Sequence, residues 1–262
     1  MHSTSGGTST ASSLRGREGS KMAYRYIYSC LVPLALLVGS VLAQPLSADV
    51  HVRTQLQPQP SVVLDQATVV GQRNGTVIKY LGLPFAQPPI GDLRLRLPKP
   101  ISPYTGTINA TAFGNQCIQQ TSEAVSLPST VPAAVGGYVA SFLARADVPF
   151  SEDCLNLNVI VPAEAHPESK LPVAVWIYGG GFQIGSNAVN PGEVVVARSI
   201  EIGHPVIFVA MNYRLSAFGF LGGSEVKETG VGNLGLHDQR EALRWIQKYI
   251  SAFGGDPEKV MM

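Results

Sequence analysis

An α/β fold, with a mostly parallel central sheet and helices on both faces, is what this sequence predicts. Three observations carry it. Leu155–Val161, Leu171–Tyr178 and Pro205–Met211 are near-continuous apolar runs rich in β-branched residues. Such runs, rather than alternating ones, suit strands buried on both faces, as in a parallel sheet covered by helices. Helical patterns follow them, at Glu193–Ile200 and Leu234–Phe253. In the second, Leu243, Ile246, Ile250 and Phe253 form one stripe at spacings of three and four, and Trp245 and Tyr249 widen it, so this helix packs deeply. Third, shorter strand patterns precede the runs, at Val62–Leu64, Thr68–Val70 and Thr76–Leu83, with Asn74-Gly75 as a hairpin turn between the last two. They predict a small antiparallel hairpin region ahead of the main sheet.

The chain has 262 residues, enough for one large domain or two small ones. Hydrophobic residues make up 45% and charged residues 14%, so most of the chain can bury a core. The net charge of +1, without a long basic run, argues against nucleic acid as a partner. No C-x-x-C, H-E-x-x-H or G-x-x-x-x-G-K pattern is present, so neither a metal nor a phosphate-bearing cofactor is expected.

Residues 1–43 read as an extension and a secretory signal. Ser/Thr/Gly-rich sequence runs to Ser20, then Lys21 and Arg25 flank the apolar run YIYSCLVPLALLV, and VLA ends at Ala43, the expected cleavage point. The run is short for a membrane anchor and Pro33 interrupts it. Residues 44–60 form a Gln/Pro-rich arm, and 61–262 the folded part. Export leaves Cys117 and Cys154 as an even pair in an oxidising compartment. If they bond, the closed loop of about 38 residues contributes roughly 4 kcal/mol in the chain-entropy picture. Two free buried thiols are the other arrangement. Asn74-Gly75-Thr76 and Asn109-Ala110-Thr111 are glycosylation triplets that suit a secreted chain.

FAQPPIGDLRLRLPKP carries too many prolines for a helix and reads as an extended surface crossing. Between the two cysteines lies a long apolar segment broken by Pro128, Pro132, Gly136 and Gly137, where only Tyr138–Ala144 can form about two helical turns. It is a candidate flap, 117–154, stapled at its base if the cysteines bond; ordinary core is the other reading. At the other end of the chain, Gly254-Gly255 and Pro257 stop the long helix, and Glu258–Met262 opens a further strand.

The stretch LPVAVWIYGGGFQIGS concentrates the chemistry. A buried strand ends in Gly179, Gly180 and Gly181, which permit positive φ and leave no Cβ to block a ligand. Two consecutive amides can then face one cavity and hold an anion. In acyl transfer that anion is the oxygen of the tetrahedral intermediate, and each such donor typically contributes about 3 kcal/mol to the transition state.

SEDCLNLNVIVP, WIYGGGF, NYRLSAFGFLGG and GNLGLHDQREALRWIQKYISAFGGDPEKV, in this order, resemble the type-B carboxylesterase/lipase family, and the wording is closest to secreted fungal lipases. The resemblance runs from about Val62 to the end. It implies the N-terminal part of an α/β-hydrolase fold, with the central sheet truncated. It implies that Gly180 and Gly181 supply oxyanion amides, that Gly179 and Phe182 shape the loop, and that Cys117 and Cys154 bridge the base of the flap. It also implies that Arg94 with Glu152, and Arg214 with Asp238, are structural ion pairs. The implied activity is that of a secreted serine carboxylic-ester hydrolase acting through an acyl-enzyme on small-molecule or lipid esters. The flap would offer contact with a lipid–water interface; the oligomeric state is not implied.

The family's nucleophile stands in a G-x-S-x-G turn. No serine here has that context, Ser186 included, and by family spacing the nucleophile falls about four residues beyond Met262. The acidic and histidine members lie further on, and His51, His166, His204 and His237 do not match the family's base. The chain alone is therefore expected to be inactive, and to aggregate through an unpaired sheet edge and a bare helix face. The other readings are a non-catalytic adhesion member of the same fold, against which the intact GGGF loop speaks, and a truncated remnant. Trp176 and Trp245 are expected on core elements and the flap has no Trp, so an aromatic choline-type site is not supported.

Overall fold

Strand β8 (Asn156–Pro162) is the centre of the molecule, with all of its residues buried. The structure is a computed structural model describing residues 59–120, 128, 130–136 and 147–262. The leader, most of the Gln/Pro-rich arm and the expected flap helix at Tyr138–Ala144 lie outside the described residues.

The main sheet has six strands in the order β11-β9-β10-β8-β4-β3. Its members are β3 (Gln72–Asn74), β4 (Val77–Pro84), β8, β9 (Leu171–Trp176), β10 (Ile207–Met211) and β11 (Gly255–Met261). β10 and β11 run parallel to β9, with Val209 opposite Val175 and Val260 opposite Val173. β8 is antiparallel to both β10 and β4, and β3 is antiparallel to β4. The sheet is thus more evenly mixed than the expected mostly parallel one. Continuous apolar runs report burial on two faces, not strand direction, and β8 is buried on both while antiparallel to both neighbours.

Alternation along the central strands divides two cores. Leu157, Val159 and Val161 of β8 and Ile207, Val209 and Met211 of β10 face a large cluster that includes Ala242, Trp245, Ile246, Ile250 and Phe253. Those residues belong to α4 (Leu234–Tyr249) and the 3₁₀ turn Ile250–Phe253 that continues it. Ile160, Phe208 and Ala210 point to the opposite face, where Val196 of α1 (Glu193–Glu201) covers them. Helices therefore lie on both faces, with α1 packed on β4, β8 and β10. Trp176, expected in the core, is 40% exposed, whereas Trp245 is buried.

A separate three-stranded sheet is built from segments on either side of β3 and β4 in the chain. β1 (Ser61–Leu64) pairs antiparallel with β2 (Gln66–Val70), and β2 pairs parallel with β5 (Thr105–Asn109). The Asn74-Gly75 turn joins β4 to the three-residue β3 rather than to β2, because the chain changes sheets at Gly71. An added Cβ at Gly71 would sit 2.7 Å from the Lys79 carbonyl oxygen and from the Tyr80 ring. Asp65, Tyr104, Trp245 and Tyr249 tie the small sheet to α4. Tyr249 Oη donates to Asp65 Oδ2 at 2.6 Å, and Trp245 Nε1 donates to Tyr104 Oη at 2.8 Å. Among the described residues, no helix is long and apolar enough to cross a membrane.

Candidate active site

The glycine loop leaves β9 after Trp176 and is built around two unusual backbone positions. Gly180 has φ 136° and Gly181 φ 62°, and Phe182 continues in the left-handed region at φ 61°. An added Cβ at Gly180 would lie 2.1 Å from the Ile184 carbonyl oxygen, so only glycine fits there. At Gly181 the same atom would meet open space. The Gly180 carbonyl turns inward and accepts from Gln183 N at 3.1 Å and Ile184 N at 3.2 Å. Among the described residues, neither the Gly180 nor the Gly181 N–H donates to any protein acceptor.

Four sets of contacts hold this loop. From the β10 side, Tyr178 and Tyr213 stack at 4.4 Å between centroids, with planes 15° apart. Tyr178 Oη donates to Tyr213 O at 3.0 Å, and Tyr213 Oη donates to Tyr178 O at 2.7 Å. The exchange locks the ends of β9 and β10 together. Desolvation pushes the Tyr178 phenol well above its ordinary range and that of Tyr213 up to about 12, so both rings stay neutral donors at physiological pH.

From the β8 side, a buried amide network grips the returning arm. Asn187 Nδ2 donates to Asn156 O at 3.1 Å and to Asn156 Oδ1 at 3.0 Å. Asn187 N donates to Asn212 Oδ1 at 2.9 Å, and Asn158 Nδ2 donates to Asn187 O at 3.2 Å. All four asparagines are buried. Low dielectric makes such a network strong when satisfied and costly when cut.

From the cysteine side, Cys117 and Cys154 are joined by a disulfide, with Cα atoms 5.0 Å apart. Two residues on, the Gln119 side chain reaches the loop. Its Oε1 accepts from Gly185 N at 2.9 Å, and its Nε2 donates to Gly185 O at 3.1 Å. Gln120 N donates to Gln183 O at 3.1 Å. The loop's outer corner is held by Ser216 N, which donates to Phe182 O at 2.8 Å, while Phe182 packs on Phe220 at 4.4 Å.

The charged residues singled out in the sequence meet as two pairs. Arg94 Nε and Nη2 donate to Glu152 Oε2 and Oε1 at 2.6 and 2.7 Å, at a partly exposed place beside the disulfide. Arg214 Nε and Nη2 donate to Asp238 Oδ2 and Oδ1 at 2.8 and 2.7 Å, and this pair is buried. Arg214 Nη1 also donates to Arg96 O at 2.9 Å, and its backbone N–H donates to Asp238 Oδ2 at 3.0 Å. A shallow depression lies between the pairs, lined by Leu95, Cys117, Ile118, Leu215 and Phe218 among others.

Other candidates stand apart. His237 lies in the first turn of α4, with Arg240 Nη2 2.9 Å from its Nδ1; partial burial, then Arg240, lower its pKa. His166 pairs with Glu168 on the surface. Asn74 and Asn109 are exposed. No group of three or more His, Cys, Asp or Glu among the described residues is placed to hold a metal ion. Tyr178, Tyr213, Asn187 and Gln119 were not singled out from the sequence. The tyrosines read as strand ends and the amides as loop polarity, and only their meeting in space reveals a frame.

The chain has counterparts among known proteins. Residues 58–262 match the model of the "Carboxylesterase family". The chain is 42% identical over 226 residues to Lipase 1 of Geotrichum candidum, covering 83% of this chain and 40% of that protein. It is 40% identical over 234 residues to Secreted lipase 1 of Botryotinia fuckeliana, covering 88% and 41%. The chain thus spans about two fifths of the length of these curated relatives. Among solved structures, Aspergillus niger EstA superposes with a TM-score of 0.62 at 37% identity, over 77% of this chain and 35% of that one. A thermophilic pNB esterase superposes with a TM-score of 0.61 at 35% identity, over 77% and 38%. With an α/β-hydrolase architecture, a glycine loop in this frame and a family match over most of its length, the chain belongs to the carboxylesterase family.

Proposed function

We propose that this chain supplies the oxyanion-holding part of a secreted serine carboxylic-ester hydrolase of the lipase kind. One observation carries the reading. Among the described residues, the Gly180 and Gly181 N–H groups donate to no protein acceptor, on a loop that requires glycine at Gly180 and that neighbouring segments pin. Preorganised donors of this type stabilise charge without reorganising during the reaction. In the reaction, a serine oxygen bonds to the ester carbonyl carbon and the carbonyl π pair moves onto oxygen, where the two amides hold it. Collapse expels the alcohol, which takes the proton that a histidine had accepted from the serine. Water then releases the acid by the same route. The serine, the acid and the histidine of that scheme are not assigned to residues of this chain. The substrates are small-molecule or lipid esters, with the apolar segment between Cys117 and Cys154 supporting contact with a lipid–water interface. The disulfide and the exposed Asn74 and Asn109 triplets support an extracellular, glycosylated product.

The test begins with the coding sequence immediately after Met262. A G-x-S-x-G turn a few residues on, with p-nitrophenyl ester hydrolysis and fluorophosphonate labelling of that serine in the expressed product, supports the reading. Another residue at the serine position, without labelling, overturns it in favour of a binding protein of the same fold.

A further inference from the structure

We propose that Gln119 is a positioning residue for the oxyanion loop, fastening the glycine turn to the disulfide-bonded base of the flap. The inference rests on the hydrolase reading for its catalytic consequence and on geometry alone for its structural part. The primary amide of Gln119 mimics a strand edge. It offers one acceptor to Gly185 N and one donor to Gly185 O, the reciprocal pattern by which a peptide group pairs with its neighbour in a ladder. Gly185 is the last residue before the buried Ser186-Asn187 arm, and its φ of 129° packs it against the face of Tyr178, where an added Cβ would lie 2.3 Å from the ring. The loop from Gly179 to Gly185 is thus pinned at its start by the tyrosine pair and at its end by Gln119.

Gln119 is itself held. Its Nε2 lies 3.3 Å from Gln116 Oε1 and 3.4 Å from Cys117 O, and Cys117 is bonded to Cys154. Gln120 N adds a backbone bond to Gln183 O, in the middle of the loop. The segment that leaves the disulfide therefore forms the outer wall of the glycine turn. Without the Gln119 amide, the Gly185 peptide loses both partners, and the Gly180–Ile184 turn is closed only by its internal bonds. Two donors aimed at one oxygen tolerate little drift, since a displacement of about 1 Å at a reacting centre can cost on the order of 100-fold in rate.

The experiment compares the protein expressed from the complete coding sequence with its Gln119→Ala and Gln119→Glu variants. Amide hydrogen exchange at Gln183–Gly185 reads the loop, steady-state kinetics reads kcat and KM, and inhibition by a trifluoromethyl ketone reads oxyanion binding. For Gln119→Ala we expect Gly185 exchange at least roughly 10-fold faster and kcat lower by about 10–100-fold, with KM within about 3-fold. Ketone affinity should fall in proportion to kcat. Gln119→Glu keeps the acceptor for Gly185 N–H but loses the donor, so its exchange and kcat should lie between those of the parent and the alanine variant. If the alanine variant does not fold, the glutamate variant carries the test on the same readouts. Unchanged Gly185 exchange overturns the proposal, as does faster exchange with kcat and ketone affinity unchanged. A parent without esterase activity defeats the hydrolase reading instead, and the exchange measurement still decides whether Gln119 holds the loop.

Discussion

Two ion pairs with the same forked geometry but different burial give a direct test of how this fold is held. In the Arg214–Asp238 pair the side chains are 4% and 0% exposed; in Arg94–Glu152 they are 53% and 23% exposed. The perturbation is Asp238→Asn, which preserves shape and removes the charge. It leaves the Arg214 guanidinium buried without its anion, and turns an amide donor or a weaker acceptor toward Nε, Nη2 and the Arg214 N–H, all of which the carboxylate now satisfies. Breaking a buried pair from one side typically costs about 3–5 kcal/mol. For a folded unit of about 200 residues, each kcal/mol moves Tm by roughly 2–4 °C, so the melt should drop by roughly 6–20 °C. Glu152→Gln should leave the melt nearly unchanged, because the exposed partner regains water. The assay is thermal unfolding of the three proteins at one pH and ionic strength. Should Asp238→Asn not fold, the double variant Arg214→Met/Asp238→Leu restores the melt in part, since it removes both charges but still strands the Arg214 N–H and the Arg96 carbonyl. Equal melts for Asp238→Asn and Glu152→Gln would refute the reasoning that burial, not the fork itself, makes the first pair matter.

Further outcomes follow from other parts of the molecule. In an enzyme of the proposed function, Gly180→Ala forces the loop to move by about 1 Å to clear the Ile184 carbonyl and should lower kcat by on the order of 100-fold. Gly181→Ala has open space around its Cβ and should cost only about 1–2 kcal/mol of stability through its left-handed backbone, read as a small Tm change. Stability should fall as pH rises above about 10. Tyr80 and Tyr213 are pushed up to about 12 by burial, so the unfolded chain ionises first and the stabilisation is lost between the ordinary and the folded values. Denaturant melts paired with tyrosinate absorbance test that window. Reduction of Cys117–Cys154 should lower stability by about 4 kcal/mol for its loop length. If the chain carries glycans at Asn74 and Asn109, amidase treatment of the secreted product should remove two of them, and Asn74→Gln one. The Asn74–Glu193 hydrogen bond need not oppose this, since a glycosylated amide keeps one N–H.

Much of the architecture and of the loop was legible in the chain itself. The run of three glycines announces an unusual backbone path, and at Gly180 only a missing Cβ permits it. The stripe from Leu243 to Phe253 announces a deeply packed helix, because a period near 3.6 places those residues on one face. Strand direction was not legible. β8 is as continuously apolar as β10 and yet antiparallel to it, since burial on both faces looks the same whichever way a strand runs. Nor was the change of sheet at Gly71, which depends on how close β4 comes.

The frame of the candidate site belongs wholly to the tertiary structure. Tyr178 and Tyr213 are 35 residues apart, Gln119 and Gly185 are 66 apart, and Asn156 and Asn187 are 31 apart. Local propensity and periodicity reach a few residues along the chain, whereas a hydrogen bond is set by distance in space. Residue types and spacing therefore determine that a glycine loop must end β9. Only the folded arrangement decides which side chains hold it, and in it the Gly180 and Gly181 N–H groups donate to no acceptor among the described residues.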